Sequence, residues 1–253
     1  MHDLICIDIG NTCLHIGYSH KSQIKNSYRI NTVDFIKNPC ILQTHLSTSV
    51  PICYCSVVPS AEKKIESLLL DSKFSNHKLS SDSCEFLPIS YPNKHEIGSD
   101  RIANSIAAFI DFTGSSIVVD IGTATTFDLI SSVKGYCGGV ILPGPQTLLD
   151  SLFEHTSLLP SMNLNEISKF KDKKIGKCTK SAIALGITMG YEPMVQGIIN
   201  NLLNSFSIKD SECINLILVG GESSLLSNKS FLHVPYLTLR GLAIAYENLS
   251  CRS

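Results

Sequence analysis

One short pattern occurs twice in this chain and constrains its fold more than any other feature. Leu4-Ile5-Cys6-Ile7-Asp8-Ile9-Gly10-Asn11-Thr12 aligns position by position with Ser116-Ile117-Val118-Val119-Asp120-Ile121-Gly122-Thr123-Ala124. Each copy is an apolar run that closes on Asp-Ile-Gly and a small polar residue, which reads as a buried strand entering a turn. Turn residues follow at 19–22 and 131–135, after apolar stretches suited to a returning strand, so both halves should open with the same β-hairpin. A chain of 253 residues is comfortable as two domains of roughly 100 to 150 residues. No Pro-rich or low-complexity stretch separates the copies, so the expected division is tight and falls near Gly114, giving domains 1–114 and 115–253.

Between the copies lies an apolar run at 52–58 ended by Pro59, then a helical pattern over 61–70 with Ile65, Leu68 and Leu69 on one face. After the second copy come Gly138-Gly139 and Pro143-Gly144, helices over 146–153 and 181–203, a strand over 214–219 ending in Gly220-Gly221, and a closing helix over 239–249. Strands alternating with helices define an α/β fold.

Composition narrows the function classes. Apolar residues at 43% and charged residues at 17% describe a globular chain with ample core material. With a formal net charge of −1 and scattered Lys and Arg, no basic field is present to hold a nucleic acid backbone. Asp8 interrupts the amino-terminal apolar run before it reaches signal-peptide length, and no segment approaches the roughly 18 uninterrupted apolar residues of a membrane span. The expectation is a cytoplasmic protein with no membrane partner. Its ten cysteines are dispersed and should be mostly buried thiols, and Cys53-Tyr54-Cys55 lacks a second ligand pair at zinc spacing.

In the repeated pattern a strand end carries a carboxylate to the sheet edge, and glycine lets backbone and phosphate approach closely. Backbone N–H and Thr hydroxyl groups of such a turn can grip phosphate oxygens. The bland alternative, that Asp-x-Gly is only a turn, weakens because the motif occurs twice in matched contexts. In Gly98-Ser99-Asp100-Arg101, the spacing of Ile102, Ile106 and Phe109 places Asp100 and Arg101 in the first turn of a helix. Ser99 or Asp100 could simply cap that helix. Arg101, however, is unfavourable at the positive end of a helix dipole unless something anionic needs it there.

Taken in order, Asp8-Ile9-Gly10-Asn11-Thr12, Gly98-Ser99-Asp100-Arg101, Asp120-Ile121-Gly122-Thr123-Ala124-Thr125-Thr126, Gly138-Gly139 with Pro143-Gly144, and Gly176-Lys177-Cys178-Thr179 resemble the type III pantothenate kinases. These belong to the acetate and sugar kinase, Hsp70 and actin superfamily. The resemblance runs essentially end to end and implies two RNase H-like, actin-like ATPase domains with mixed sheets flanking a nucleotide cleft. The implied reaction is ATP plus pantothenate giving ADP and 4′-phosphopantothenate, the entry to coenzyme A.

Residue by residue, the resemblance implies ATP contacts from Asp8, Ile9, Gly10, Asn11, Thr12, Cys13, Leu14 and His15, and from Thr123. Asp8 would orient a hydrated Mg²⁺ and Asp120 would hold a monovalent cation, K⁺ or NH₄⁺. Asp100 would accept the proton of the substrate hydroxyl. Tyr91, Gly98, Ser99, Asp100 and Arg101 would bind pantothenate, with Thr179 reaching it across a homodimer interface. By itself Tyr91, ahead of Pro92, also reads as a packed loop aromatic.

Three positions depart from the family pattern: Ser99 where Ala is usual, Cys178 in place of a polar residue, and Glu222 after Gly220-Gly221. The Ser99 change could add a helix cap. Two rival readings remain, a kinase for another small hydroxy acid or sugar, and a nucleotide-binding regulatory protein without catalysis.

Overall fold

The computed structural model describes residues 3–47, 49–70, 74–170, 172–205, 214–226 and 229–250. It contains two five-stranded sheets. The first is formed by β1 (Leu4–Ile9), β2 (Cys13–His20), β3 (Gln23–Asn31), β4 (Ile52–Ser56) and β5 (Asn76–Lys78), in the order β3-β2-β1-β4-β5. The expected hairpin is present: β1 runs antiparallel to β2, with Ile9 opposite Leu14. On its other side β1 runs parallel to β4, and β4 parallel to β5.

Strand alternation sorts the residues of β1 between two faces. Ile5, Ile7 and Ile9 pack with Leu14, Ile16 and Ile52 into a core closed by Phe35 of α1 (Thr32–Lys37) and by Ile65, Leu68 and Leu69 of α2 (Pro59–Leu70). The other face carries Cys6 and Asp8, and beside them Cys53 and Cys55 in register. There the sheet meets α3 (Ser99–Asp111) and the closing helix, which runs over Leu237–Ser250. The strand expected over 52–58 ends at Ser56, whose Oγ accepts the Val58 N–H and turns the chain toward Pro59. Proline's fixed φ suits the first turn of α2.

The second sheet consists of β6 (Ser115–Ile121), β7 (Ala124–Ser131), β8 (Gly135–Pro143), β9 (Ile214–Val219) and β10 (Leu232–His233), in the order β10-β9-β6-β7-β8. Here too the first strand of its half, β6, is central and runs parallel to the strand that follows the helices, β9. The topology is therefore duplicated along with the motif. Helices α4 (Pro145–Glu154), α5 (Leu164–Ile167) and α6 (Thr179–Ser205) lie between β8 and β9 in sequence, and the closing helix is α7.

By contacts the chain forms two compact units, one of residues 1–113, 130–138 and 236–253, the other of 114–129 and 139–235. The first crossing lies between Thr113 and Gly114, and the tip of the β7–β8 hairpin and α7 group with the first unit. That grouping has a visible cause in α7. Gly241 sits so close to Ala103 that a Cβ would strike the α3 backbone, and Arg240 forks onto both carboxylate oxygens of Asp111 at 2.7 Å each.

Among the described residues one helix, α6, is long and apolar enough to cross a membrane by length and composition. Lys180, Glu192 and Asn200 interrupt its apolar sequence, so it holds no uninterrupted apolar run of membrane length. One face of α6 is buried within the second unit through Ala184, Leu185, Tyr191, Val195 and Ile199.

Candidate active site

In the first unit, the β1–β2 turn is pinned by its own backbone and by α1. Gly10 N–H donates to Cys13 O at 3.1 Å, and Thr32 donates its hydroxyl to Gly10 O at 2.7 Å and its N–H to Thr12 O at 3.0 Å. Asn11 and Thr12 stand exposed at the tip, with Asp8, Gly10 and Cys13 half-buried behind them. Ile9 and Leu14 are core residues, so any contact they make with a ligand runs through their backbone. His15 is buried against the ring of Tyr236 at 5.8 Å. Burial, reinforced by the Arg29 charge, lowers its pKa to about 4, so it is a neutral imidazole at pH 7.

Asp100 stands in the first turn of α3 as expected. Its Oδ1 accepts the Arg101 N–H at 2.7 Å and folds back over Gly98, where a Cβ would sit only 2.5 Å from that oxygen. Burial raises the Asp100 carboxyl above the ordinary carboxylate range, and the Arg101 amide and guanidinium only partly oppose this. Ser99 does not cap the helix. Its hydroxyl instead donates to Ser56 O at 2.9 Å and accepts Ser56 N–H at 3.1 Å, fastening the start of α3 to the end of β4. This corrects the capping expectation, and the reason is geometric: the cap position belongs to Gly98.

Arg101 and Tyr91 come together on one aromatic ring. The Arg101 guanidinium carbon lies 5.9 Å from the centre of the Tyr136 ring, and Tyr91 meets the same ring edge-on at 5.9 Å. Tyr136 is fully buried, whereas Tyr91 is partly exposed.

The second unit holds the second hairpin. Gly122 N–H donates to Ala124 O at 3.1 Å, while Thr123 O accepts from Gly144 N–H at 3.0 Å and from the Thr147 hydroxyl at 2.6 Å. Thr123 is exposed. Asp120 is half-buried at the end of β6 beside Gly220, whose φ of +96° and contact with Ile121 leave no room for a Cβ. Thr179 opens α6 and is exposed. The loop before it is held by a residue the sequence reading passed over: the buried Ser181 hydroxyl accepts the N–H groups of Lys177 and Cys178 at 3.0 Å and donates to Cys178 O at 2.9 Å. Cysteine at 178 therefore leaves the loop fixed. Glu222 is half-buried, and burial raises its carboxyl pKa.

The family model of the type III pantothenate kinases matches residues 4–201, which include both hairpins, the start of α3 and the 176–179 loop. The chain belongs to that family. A type III pantothenate kinase of Desulfosudis oleivorans is 32% identical, covering 95% of this chain and 97% of its own. One from a Sulfurihydrogenibium species is 31% identical over 94% and 97%. Among solved structures, a Baf family protein from Campylobacter jejuni aligns with a TM-score of 0.62 at 21% identity, over 97% of this chain and 99% of that one. Component A of the (R)-2-hydroxyglutaryl-CoA dehydratase of Acidaminococcus fermentans aligns at 0.56 and 10% identity, over 98% of each. At such identities these structures speak for the fold, which is the actin-like α/β fold that the family resemblance implied.

Membership in the type III pantothenate kinases gives the motif residues their context, but it does not point to Cys55. The Cys55 thiol donates to Asp8 Oδ1 at 3.5 Å, and the charges of Asp8 and Asp100 both oppose its ionisation. Its signal in the sequence was the alternation Cys53-Tyr54-Cys55, which puts both thiols on the Asp8 face once β4 pairs with β1. Among the described residues no group of three or more His, Cys, Asp or Glu side chains could cage a metal. A hydrated Mg²⁺ needs no such cage, because it keeps several waters and binds through one or two carboxylates and phosphates.

Proposed function

We infer that this chain transfers the γ-phosphoryl group of ATP to the hydroxyl of pantothenate, giving ADP and 4′-phosphopantothenate in the first step of coenzyme A biosynthesis. The observation that carries the chemistry is Asp100: a carboxylate at a helix start, with raised proton affinity, beside an arginine suited to an anionic substrate. Phosphoryl transfer asks the protein chiefly to position groups and stabilise charge, with a carboxylate to take the proton of the attacking alcohol. Asp100 takes that proton. Arg101 and Tyr91 hold the substrate, assisted by the backbone of Gly98 and Ser99, with the Arg101 guanidinium pairing its carboxylate.

The exposed turn around Gly10, Asn11 and Thr12 offers backbone N–H and hydroxyl donors to nucleotide phosphates, and Thr123 offers the same from the second hairpin. Asp8 would hold a hydrated Mg²⁺ through its waters, and that ion would supply charge neutralisation for the nucleotide phosphates. Asp120 suits K⁺ or NH₄⁺, and turnover in potassium against sodium buffer at matched ionic strength tests that role. Domains 1–114 and 115–253 each contribute one five-stranded sheet of the same order, which supports their reading as duplicated RNase H-like halves.

The assembly is a homodimer in the cytoplasm. An exposed stripe of small and flexible apolar residues on α6, including Ala182, Gly186, Met189, Gly190, Met194 and Gly197, supports a helix interface with a second copy. It also accounts for the apolar character of that helix. Thr179, at the head of the same helix, then reaches the partner's substrate.

The deciding experiment measures ADP release with pantothenate, pantetheine and a panel of sugars and hydroxy acids, with mass spectrometry of the product. Turnover with pantothenate alone is expected. Preference for a sugar or another hydroxy acid would select the related-kinase reading, and nucleotide binding without turnover would select the regulatory one.

A further inference from the structure

Tyr136 belongs to none of the motifs, yet it touches both side chains assigned to the substrate. Its main chain clamps the segment leading into Tyr91: Tyr136 N–H donates to Pro88 O at 2.9 Å, Ser90 N–H donates to Tyr136 O at 2.8 Å, and Ile89 bridges to it in parallel. Two glycines in left-handed backbone flank it. Gly135, at φ +64°, lies against Pro88 where a Cβ would collide, and Gly138, at φ +111°, offers its bare Cα to the Tyr91 ring, 3.6 Å from where a Cβ would be. Tyr91 is thus lodged between the edge of Tyr136 and the strand at Gly138. Arg101, from α3, lies over the same Tyr136 ring.

We propose that Tyr136 is a positioning residue for recognition of the substrate carboxylate: its buried ring fixes Tyr91 and Arg101, which come from separate segments, in one arrangement before the substrate arrives. The inference rests on the reading that Tyr91 and Arg101 bind pantothenate. Arginine is rich in rotamers and Tyr91 is partly exposed, so without the wall each would have to be ordered at the expense of binding. An edge-to-face contact and a cation over an aromatic face each favour the ordered state. The nucleotide hairpin of β1 and β2 makes no use of this ring in the proposed scheme.

The test compares the full-length protein with Tyr136→Phe and Tyr136→Leu, reading KM for pantothenate, KM for ATP, pantothenate affinity by calorimetry and melting temperature. Tyr136→Leu is expected to raise the pantothenate KM and Kd about tenfold with the ATP KM unchanged, and Tyr136→Phe, which keeps the ring, to stay within about threefold of wild type. Should Tyr136→Leu not fold, pentafluorophenylalanine at this position decides the question. It keeps the shape but loses the electron-rich face, and is expected to raise the pantothenate KM about tenfold, outside the range of Tyr136→Phe. An unchanged pantothenate KM in folded Tyr136→Leu, or in the fluorinated variant where the leucine variant does not fold, or an equal rise in both KM values, overturns the proposal. Arg101→Gln and Tyr91→Leu separate the two levels. If they leave the pantothenate KM at wild type, the substrate reading itself fails and this inference with it; if they raise it while the Tyr136 variants do not, only the positioning role fails.

Discussion

The thiol of Cys55 on β4 donates to Oδ1 of Asp8 on β1 across 3.5 Å, tying the carboxylate at the head of the first hairpin to the neighbouring parallel strand. Burial and the two nearby carboxylates push the thiol pKa far above its ordinary value, so Cys55 stays a neutral donor throughout the working pH range. A thiol is a weak donor, and its loss should be felt in the orientation of Asp8 more than in folding.

Cys55→Ala should therefore weaken Mg²⁺-dependent binding of a non-hydrolysable ATP analogue by about threefold to tenfold, in keeping with the net worth of one hydrogen bond. Cys55→Ser, which keeps a donor, should restore it. Calorimetry with and without Mg²⁺ measures both, and equal affinities in wild type and the alanine variant would refute the role.

Asp100→Asn retains the shape of the side chain and removes the proposed base. Turnover should fall about 10²- to 10⁴-fold while melting temperature and pantothenate affinity hold. On the proposed role the ionised form is the active one, and because its folded pKa is raised, that form is lost as pH falls through a value above the ordinary 3.8. The acid limb of the kcat/KM profile should accordingly lie above the usual aspartate range. A limb at or below 3.8, or a folded Asn variant with native turnover, would remove Asp100 from the mechanism.

Gly241 is a point of closest approach between α7 and α3, and any side chain there must displace the Ala103 backbone. Gly241→Leu should lower stability by about 2 kcal/mol or more, as overpacking of a close helix pair does. Because α3 carries Asp100 at its start, turnover should drop as well. Denaturant titration checks the first effect, and a native midpoint would show that the helices can part without penalty.

A shared site can be tested by mixing. Asp100→Asn and Thr179→Arg protomers, each inactive alone, should recover part of the wild-type turnover after subunit exchange, since one site per heterodimer then carries both native residues. Exchange verified by native mass spectrometry with no recovered activity would argue that Thr179 serves its own chain or none.

Much of this protein was fixed by local sequence. The two Asp-Ile-Gly strand ends, the helix start at Asp100 and the α/β alternation follow from residue pattern over a few positions, because strand and helix periods and turn chemistry are local properties. The strand order of each sheet, with β1 and β6 central, came into view only with the fold, since pairing partners are distant in sequence. The same holds for the contacts that shape the candidate site. That Ser99 would fasten to Ser56 rather than cap its helix depended on where β4 ends. That Cys55 would meet Asp8 depended on parallel register, and that Tyr136 would gather Tyr91 and Arg101 depended on a hairpin tip joining the first unit. Sequence spacing determined which groups the chain possesses. Only tertiary packing decided which of them touch, because a side chain's partner across a sheet or a helix pair is set by register and crossing, and neither is written in the residues that flank it.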